Sequence, residues 1–363
     1  MIRSLKEHES LLQEMIAKKY IDVVHHPSAP LVIYDYSKSC QLDEVWNEVT
    51  CACRGLICDE DLNIVSRPFE KFFNYEEIQN KNMIPDLPFV ATEKLDGSLG
   101  IMYWVDDMPY ICTRGSFTSE QAIHATDILH NRYANAIDKL DHSKTYLFEI
   151  IYPDNKIVIN YGDTDDIFLI SVRDTVTGIE ESLDMYDGMF KCAKRYDADD
   201  YTKLRELYDG DNREGFVVLF SNGFRMKLKY AQYFRMHFLR SYLNDNFIFQ
   251  SLAQGWYNDI KPYLNEFDEE NKIYIQQLVA KDCSEYGRTN SHVRFIYNNL
   301  MSWGLAEHDI IDEIKKNKEY SNILFCLKNG KPHNVAIWNY LKRKHNIKYR
   351  GKFINLFKKD ADN

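Results

Sequence analysis

Residues 4–20 set Leu5, Leu11, Leu12, Met15 and Ile16 on one side of a helix, with Ser4 and Glu7 at capping-box spacing. From about residue 31 the apolar period shortens. LVIYDY, RGLICDE, NIVSRPF, FVATEKL, LGIMYWV and PYICTRG are short runs rich in β-branched and aromatic residues, parted by polar turns. A helix is predicted over 119–133, after which YLFEIIY, KIVINY and DIFLISVRD again read as strands. Helical stretches are expected near 182–208. EGFVVLF and FRMKLKY then flank Asn222-Gly223, the strongest short-range hairpin signal. Beyond Tyr230 the strand signal fades into helical spacing, through FIFQSLAQGW, NKIYIQQLVAKDC, SHVRFIYNNLMSWG, DIIDEIKKN and NVAIWNYLKRKH. These patterns predict an α+β fold, with a mixed domain over 1–235 and an all-helical domain over 236–363.

A chain of 363 residues exceeds what one core usually organises, which agrees with two domains. No apolar run approaches the roughly 18–20 residues needed to span a bilayer. Charges also occupy the N-terminus where a signal peptide needs an apolar centre. The chain therefore reads as soluble and cytoplasmic, with no membrane partner. Its eight cysteines form no C-x-x-C pair, and Cys51 and Cys53 point to opposite faces of extended backbone. They read as reduced thiols of an intracellular protein. Trp256, Trp303 and Trp338 fall in helical patterns and are expected in the core. His25-His26 lacks a third metal ligand nearby.

The net charge of −10 is unevenly spread: residues 342–359 hold eight Lys or Arg and no acid. Such a tail is attracted to phosphate, or is simply a solvated helical end.

The sharpest local feature is Glu93-Lys94-Leu95-Asp96-Gly97-Ser98 between two predicted strands. A lysine at a strand end, followed by a turn with Asp and Gly, can project into a cleft, though the string alone also fits a plain β-turn. A nucleophilic lysine has to be partly neutral, so cations and desolvation are expected to depress its pKa. Downstream, Arg114-Gly115-Ser116 offers a guanidinium fork to phosphate. Glu149 and Glu214 each put a carboxylate in an apolar stretch, where it needs a partner such as a ribose hydroxyl or a metal. Lys227 and Lys229, at period two, share one sheet face and repel unless an anion lies between them.

In this order EKLDGS, TRGS, FEI, EGFVV and MKLKY resemble the nucleotidyltransferase motifs of covalent ligases and mRNA-capping enzymes. Upstream, Tyr34 in IYDY, Arg54-Gly55 in CACRGL and the stretch SRPFEKFFN are similar to the phage-type RNA ligase 1 family. The resemblance is dense over about 30–235. It implies an N-terminal nucleotidyltransferase domain, with ATP-grasp-like antiparallel sheets and flanking helices, followed by an all-helical RNA-recognition domain.

The resemblance also implies site roles. Lys94 would attack the α-phosphorus of ATP and hold AMP as a phosphoramidate. Arg54 and Lys71 would grip the β- and γ-phosphates. Glu149 would accept from a ribose hydroxyl, Glu214 would bind Mg²⁺ (or Mn²⁺), and Lys227 and Lys229 would flank the α-phosphate. Tyr34, Glu93 and Arg114 would contact the nucleotide or its phosphates, and Asp96 belongs to the motif without an assigned duty. The implied partner is RNA, above all a nicked or cleaved tRNA anticodon loop, joined by a monomer that is compatible with a virus- or phage-encoded origin. DNA ligases and capping guanylyltransferases share the lysine chemistry, but usually follow the core with a β-rich oligonucleotide-binding barrel, where this chain reads helical. A third reading is an RNA-binding protein that has kept a degenerate fold.

Overall fold

The computed structural model describes residues 2–78, 81–207 and 212–349. The chain divides into two compact units, Met1–Phe234 and Arg235–Asn363. In the first, a four-stranded antiparallel sheet runs β1 (Ile21–His25), β2 (Leu31–Tyr36), β3 (Arg54–Asp59) and β4 (Ile64–Ser66). Ten further strands follow in chain order: β5 (Phe73–Asn74), β6 (Phe89–Lys94), β7 (Ser98–Val105), β8 (Met108–Cys112), β9 (Lys144–Ile151), β10 (Asp166–Asp174), β11 (Lys191–Cys192), β12 (Arg195–Tyr196), β13 (Gly215–Phe220) and β14 (Arg225–Lys229). They form two five-stranded sheets, ordered β11-β10-β9-β7-β8 and β12-β6-β13-β14-β5. Pairing is antiparallel except for the short β11 on β10 and β5 on β14. Strands β6 and β7 are consecutive yet lie in different sheets, so the turn Leu95–Gly97 joins the two.

The sequence patterns account for these elements. In β9 the run YLFEII buries every residue except Glu149, as expected of a strand covered on both faces. The β13–β14 hairpin turns at Asn222-Gly223, where Gly223 takes φ +85° and Asn222 Oδ1 accepts the Phe224 amide at 3.0 Å. Helix Glu120–Arg132 is capped by Ser119 and buries Ala122, Ala125, Ile128 and Leu129. Arg67, 1% exposed, donates to the carbonyls of Ile2 at 2.9 Å and Thr175 at 2.6 Å, tying the N-terminal segment to the second sheet. In the second unit, helix Glu269–Ser302 packs with the helices at 307–316, 321–328 and 334–344 around Val293, Leu300, Ile314, Leu324 and Leu341. Among the described residues no helix is long and apolar enough to cross a membrane.

Some expectations fail for identifiable reasons. The first helix is shorter, Glu9–Ala17 preceded by a 3₁₀ turn, and Ser4 Oγ accepts the Lys6 amide instead of forming a capping box. KIVINY is not a strand, because the amides of Val158 and Ile159 donate to the Asp96 carboxylate and are lost to a ladder. The helical stretches near 182–208 are 3₁₀ segments at Leu183–Tyr186 and Tyr201–Leu207, with short strands between. Trp303 caps the end of helix Glu269–Ser302 and is 61% exposed, whereas Trp256 is buried. Of the basic tail, residues 350–363 lie outside the described residues.

Candidate active site

Strand register builds this site. Lys94, the last residue of β6, pairs with Gly215 of β13, which pairs on its other side with Lys229 of β14. Glu214, just before β13, consequently lies between two lysines. Its Oε2 accepts from Lys94 Nζ at 2.8 Å, and its Oε1 is 2.8 Å from Lys229 Nζ. The Glu214 side chain is 2% exposed. A Cβ on Gly215 would come within 2.2 Å of the Leu228 carbonyl, so the close approach of β13 to β14 needs glycine there.

The Leu95–Gly97 turn brings a third carboxylate alongside. The Gly97 amide donates to Glu149 Oε1 at 2.9 Å. Asp96 turns away from this side and is 4% exposed. Its Oδ2 accepts the Val158 and Ile159 amides at 2.7 Å each, and its Oδ1 accepts the Tyr233 hydroxyl at 2.6 Å. Asp96 therefore clamps the turn that carries Lys94 and does not face the cavity.

That cavity, of about 250 Å³, is lined by Arg54, Glu93, Lys94, Arg114, Glu149, Arg225 and Lys227, with Phe69, Phe72, Leu99, Ile170 and Val217 among its apolar walls. Alternation along β14 buries Met226 and Leu228 and turns Arg225, Lys227 and Lys229 the other way. Lys227 Nζ lies 4.6 Å from the centre of the Phe72 ring. The Arg54 guanidinium lies over the same ring, and its Nη1 is buried without a hydrogen-bond partner. Arg114 is held in a fork by Asp35, at 3.1 and 2.8 Å, and donates to the Tyr36 hydroxyl at 3.2 Å.

Burial and neighbouring charge set the protonation states. Burial opposes the Lys94 cation, but Glu214, Glu149 and Asp96 outweigh it, and the pKa is raised. This reverses the expectation of a depressed Lys94: carboxylates, not cations, dominate the charges around it. The depressed amine is Lys227, held well below the usual lysine range by burial and then by Arg54, Lys94, Lys71 and Lys229. Burial pushes Glu149 up to about 7, against the pull of Lys94. Glu214 is lowered: burial raises it, and Lys94 and Lys229 prevail.

The structure thus brings Arg54, Glu93, Lys94, Arg114, Glu149 and Lys227 to one cavity, with Glu214 and Lys229 joined to it through the Lys94 ion pair. Lys71 lines a neighbouring cavity, its Nζ 4.8 Å from the Trp46 ring and 4.9 Å from the Phe73 ring. Tyr34 is not brought to the site. Its ring is buried among Val32, Val49, Cys53 and Leu56 on the other side of the first sheet. Sequence reasoning missed Arg225, Asp35 and Phe72. Asp35 and Phe72 lie within IYDY and SRPFEKFFN, and Arg225 two residues before Lys227 on the same strand, so each left a local signal.

No group of three or more His, Cys, Asp or Glu among the described residues is arranged to hold a metal ion. A divalent ion that arrives on a triphosphate needs only one or two protein carboxylates, and Glu214 beside Lys94 suits that use.

Comparison with known proteins places the chain in a family. A family model described as RNA ligase matches residues 52–243, more than half of the chain. The chain belongs to that family, the phage-type RNA ligase 1 family. A Thermovibrio ammonificans protein provisionally named RNA ligase is 27% identical over 252 residues, 65% of this chain and 65% of that protein. The RNA ligase of Rhodothermus phage RM378 is 27% identical over 184 residues, 39% of this chain and 41% of the phage protein. The chain thus spans less than two thirds of the length of either relative. A Naegleria gruberi RNA ligase mutant solved with ATP and Mn aligns at 20% identity over 41% of this chain and 51% of its own, with a TM-score of 0.35. A superposition that loose supports no statement about this site.

Proposed function

We propose that the chain is an ATP-dependent RNA ligase that joins a 5′-phosphate to a 3′-hydroxyl through AMP carried on Lys94. In this reading residues 1–235 perform adenylyl transfer and residues 236–363 recognise RNA. The observation that carries it is the convergence, from four strands and three sheets, of one strand-end amine, the half-buried Glu149 and the cations Arg54 and Lys227 at a single cavity, with the buried Glu214 and Lys229 joined to it through the Lys94 ion pair.

Lys94 Nζ attacks the α-phosphorus of ATP; the P–N bond forms as the P–O bond to pyrophosphate breaks. The proton on the amine has its nearest acceptor in Glu214 Oε2, at 2.8 Å. Phosphoryl transfer depends on in-line placement and on neutralising charge, tasks suited to Lys227, Lys229 and the unpartnered Arg54 Nη1. Lys71, in the adjoining cavity, suits the departing pyrophosphate. A Mg²⁺ (or Mn²⁺) ion bound with the nucleotide supplies further charge neutralisation on the phosphates. Glu149 suits a ribose hydroxyl: a carboxyl with a pKa near 7 accepts or donates a hydrogen bond at little cost. Asp96 and Glu93 position the turn and the cavity edge. Next the 5′-phosphate of RNA takes AMP from Lys94, and a 3′-hydroxyl then displaces AMP to make the phosphodiester. For the natural RNA, a cleaved tRNA anticodon loop is the substrate proposed. The basic residues Lys342, Arg343, Lys344 and Lys348 at the end of the helical unit suit phosphate contacts.

Incubation with labelled ATP and Mg²⁺, then denaturing electrophoresis, tests this. Acid-labile label is expected on the wild type and none on Lys94→Ala, which should still seal pre-adenylylated RNA. Label on both proteins, or on neither, would defeat the reading. GTP and nicked DNA, used in parallel, separate it from capping and DNA sealing.

A further inference from the structure

Beside the Lys94 cavity lies a larger one of about 750 Å³, and the two share Phe69, Phe72 and Arg225 as a common wall. Lys94 lines only the smaller; Trp46, Glu70, Lys71 and Phe73 line only the larger. Its volume falls in the range of ligand sites, roughly 300–1,000 Å³. Two features ask for a ligand of definite chemistry. Glu70 Oε1 is buried and has no hydrogen-bond partner, an acceptor lacking a donor. The Lys71 ammonium rests on the faces of Trp46 and Phe73, and Arg225 lies 4.2 Å from the Phe69 ring centre beside Glu180.

The stereochemistry of the proposed reaction says what belongs there. In-line attack by Lys94 expels pyrophosphate on the side of the α-phosphorus away from the lysine. When AMP later leaves Lys94, the incoming nucleophile has to approach along that same side. An oxygen of the RNA 5′-phosphate then bonds to the α-phosphorus while the P–N bond breaks. The electron pair of that bond returns to Lys94 Nζ, which takes up a proton from solvent. The strand that receives AMP therefore enters where pyrophosphate left, towards Arg54 and Lys71.

We propose that the 750 Å³ cavity receives the 5′-terminal nucleotide of the phosphorylated RNA strand, with its phosphate at Lys71 and Arg225, its ribose 2′-hydroxyl donating to Glu70, and its base on Trp46. This rests on the ligase reading above. A charge-assisted hydrogen bond to phosphate is stronger than an exposed cation–π contact. An arriving phosphate consequently draws Lys71 off the rings and uncovers the face of Trp46 for stacking. Base stacking on an aromatic side chain tolerates any sequence. A carboxylate that accepts from the 2′-hydroxyl separates RNA from DNA at that one nucleotide.

The test uses the full chain with Glu70→Leu, Glu70→Gln and Trp46→Leu. Probes are 5′-phosphorylated RNA oligonucleotides whose first nucleotide is ribo or 2′-deoxy. Binding to the uncharged protein, by fluorescence anisotropy, is read separately from AMP transfer in a single turnover of the charged protein. The wild type is expected to favour the ribo terminus about tenfold in both. Glu70→Leu should bring that ratio close to one, and Glu70→Gln, which keeps an acceptor oxygen, should retain most of it. Trp46→Leu should weaken both probes alike, about tenfold, while charging of Lys94 by ATP stays within about twofold for all three variants. A parallel loss of ATP charging would assign the cavity to the nucleotide and overturn the proposal, as would an unchanged ribo-to-deoxy ratio in Glu70→Leu. If the wild type takes no AMP at all, the ligase reading fails by itself, and the anisotropy ratios still decide the cavity.

Discussion

Lys94 Nζ and Glu214 Oε2 are 2.8 Å apart at the meeting of β6 and β13, and Lys229 occupies the other oxygen of the same carboxylate. The nucleophile of the proposed reaction is thus stored as a cation, so its activation has to coincide with ATP binding rather than precede it. Breaking a buried ion pair from one side leaves charge uncompensated, at about 3–5 kcal/mol. Both lysines keep some solvent contact, with side chains 20% and 16% exposed, which reduces the cost. Glu214→Gln is expected to destabilise the first unit by about 2–4 kcal/mol, lowering its Tm by roughly 5–15 °C. Lys94→Met, which leaves Glu214 paired with Lys229, should cost less than half as much. Equal melting temperatures for the two variants would show that the carboxylate does not hold this corner together.

Asp96 supports a second expectation. Its carboxylate is the partner of two backbone amides from 158–159 and of the Tyr233 hydroxyl. Removing an acceptor from buried donors costs about 1–3 kcal/mol each. Asp96→Ala should lose about 3 kcal/mol or more and open residues 156–161 to protease. Asp96→Asn, which keeps one acceptor oxygen, should lose about 1 kcal/mol. Urea unfolding with limited proteolysis checks both, and an Asp96→Ala protein as resistant as the wild type would contradict the clamp.

Such clamps mark the limit of what could be read from the sequence. The β13–β14 hairpin, β9 and the Lys94 turn were legible because their signals are local: Asn-Gly, an apolar run, a strand-end lysine. Lys94, Glu149 and Lys227 do share a cavity. The charge state of Lys94 was not legible, since it depends on which of the nearby charges is closest, and strand register decides that. KIVINY carried a strand pattern, yet its amides are taken by a side chain some 60 residues away, which no periodicity reveals. Tyr34 sits in a site-like motif but on the core side of β2; beyond the register shift that follows it, Asp35 and Tyr36 hold Arg114 instead.

Gly97 yields a sharp steric expectation. A Cβ there would stand 2.4 Å from the Ile150 carbonyl and 3.1 Å from Glu149 Cγ. The carbonyl belongs to β9 and cannot step aside without moving Glu149. Gly97→Ala should therefore cost about 2 kcal/mol or more and lower AMP transfer from ATP at least tenfold. Gly115→Ala, whose Cβ would meet nothing within 4 Å, should fall within about 0.5 kcal/mol of the wild type. Matching thermal melts and AMP-transfer rates for the two alanine variants would refute the argument.

The last expectation concerns the helical unit. Asp282 is 9% exposed on helix Glu269–Ser302, and burial raises its pKa to about 6. Lys281 and His345 oppose that shift, while Asp245 and Glu285 reinforce it. The folded unit therefore holds a proton that the unfolded chain releases near pH 4. Between about pH 4 and 6 the native state binds more protons, so this residue's contribution is full below pH 4 and is lost as pH rises through 6. Asp282→Asn, which keeps the shape without the charge, should change little relative to wild type at pH 4. It should be more stable by about 1–2 kcal/mol at pH 7, with the gap opening between those values and flat above pH 7. Thermal melts of both proteins across pH 4–8 measure that gap directly, other titrating groups cancelling between them. A gap that does not grow with pH would mean that Asp282 ionises in the folded unit as freely as in water.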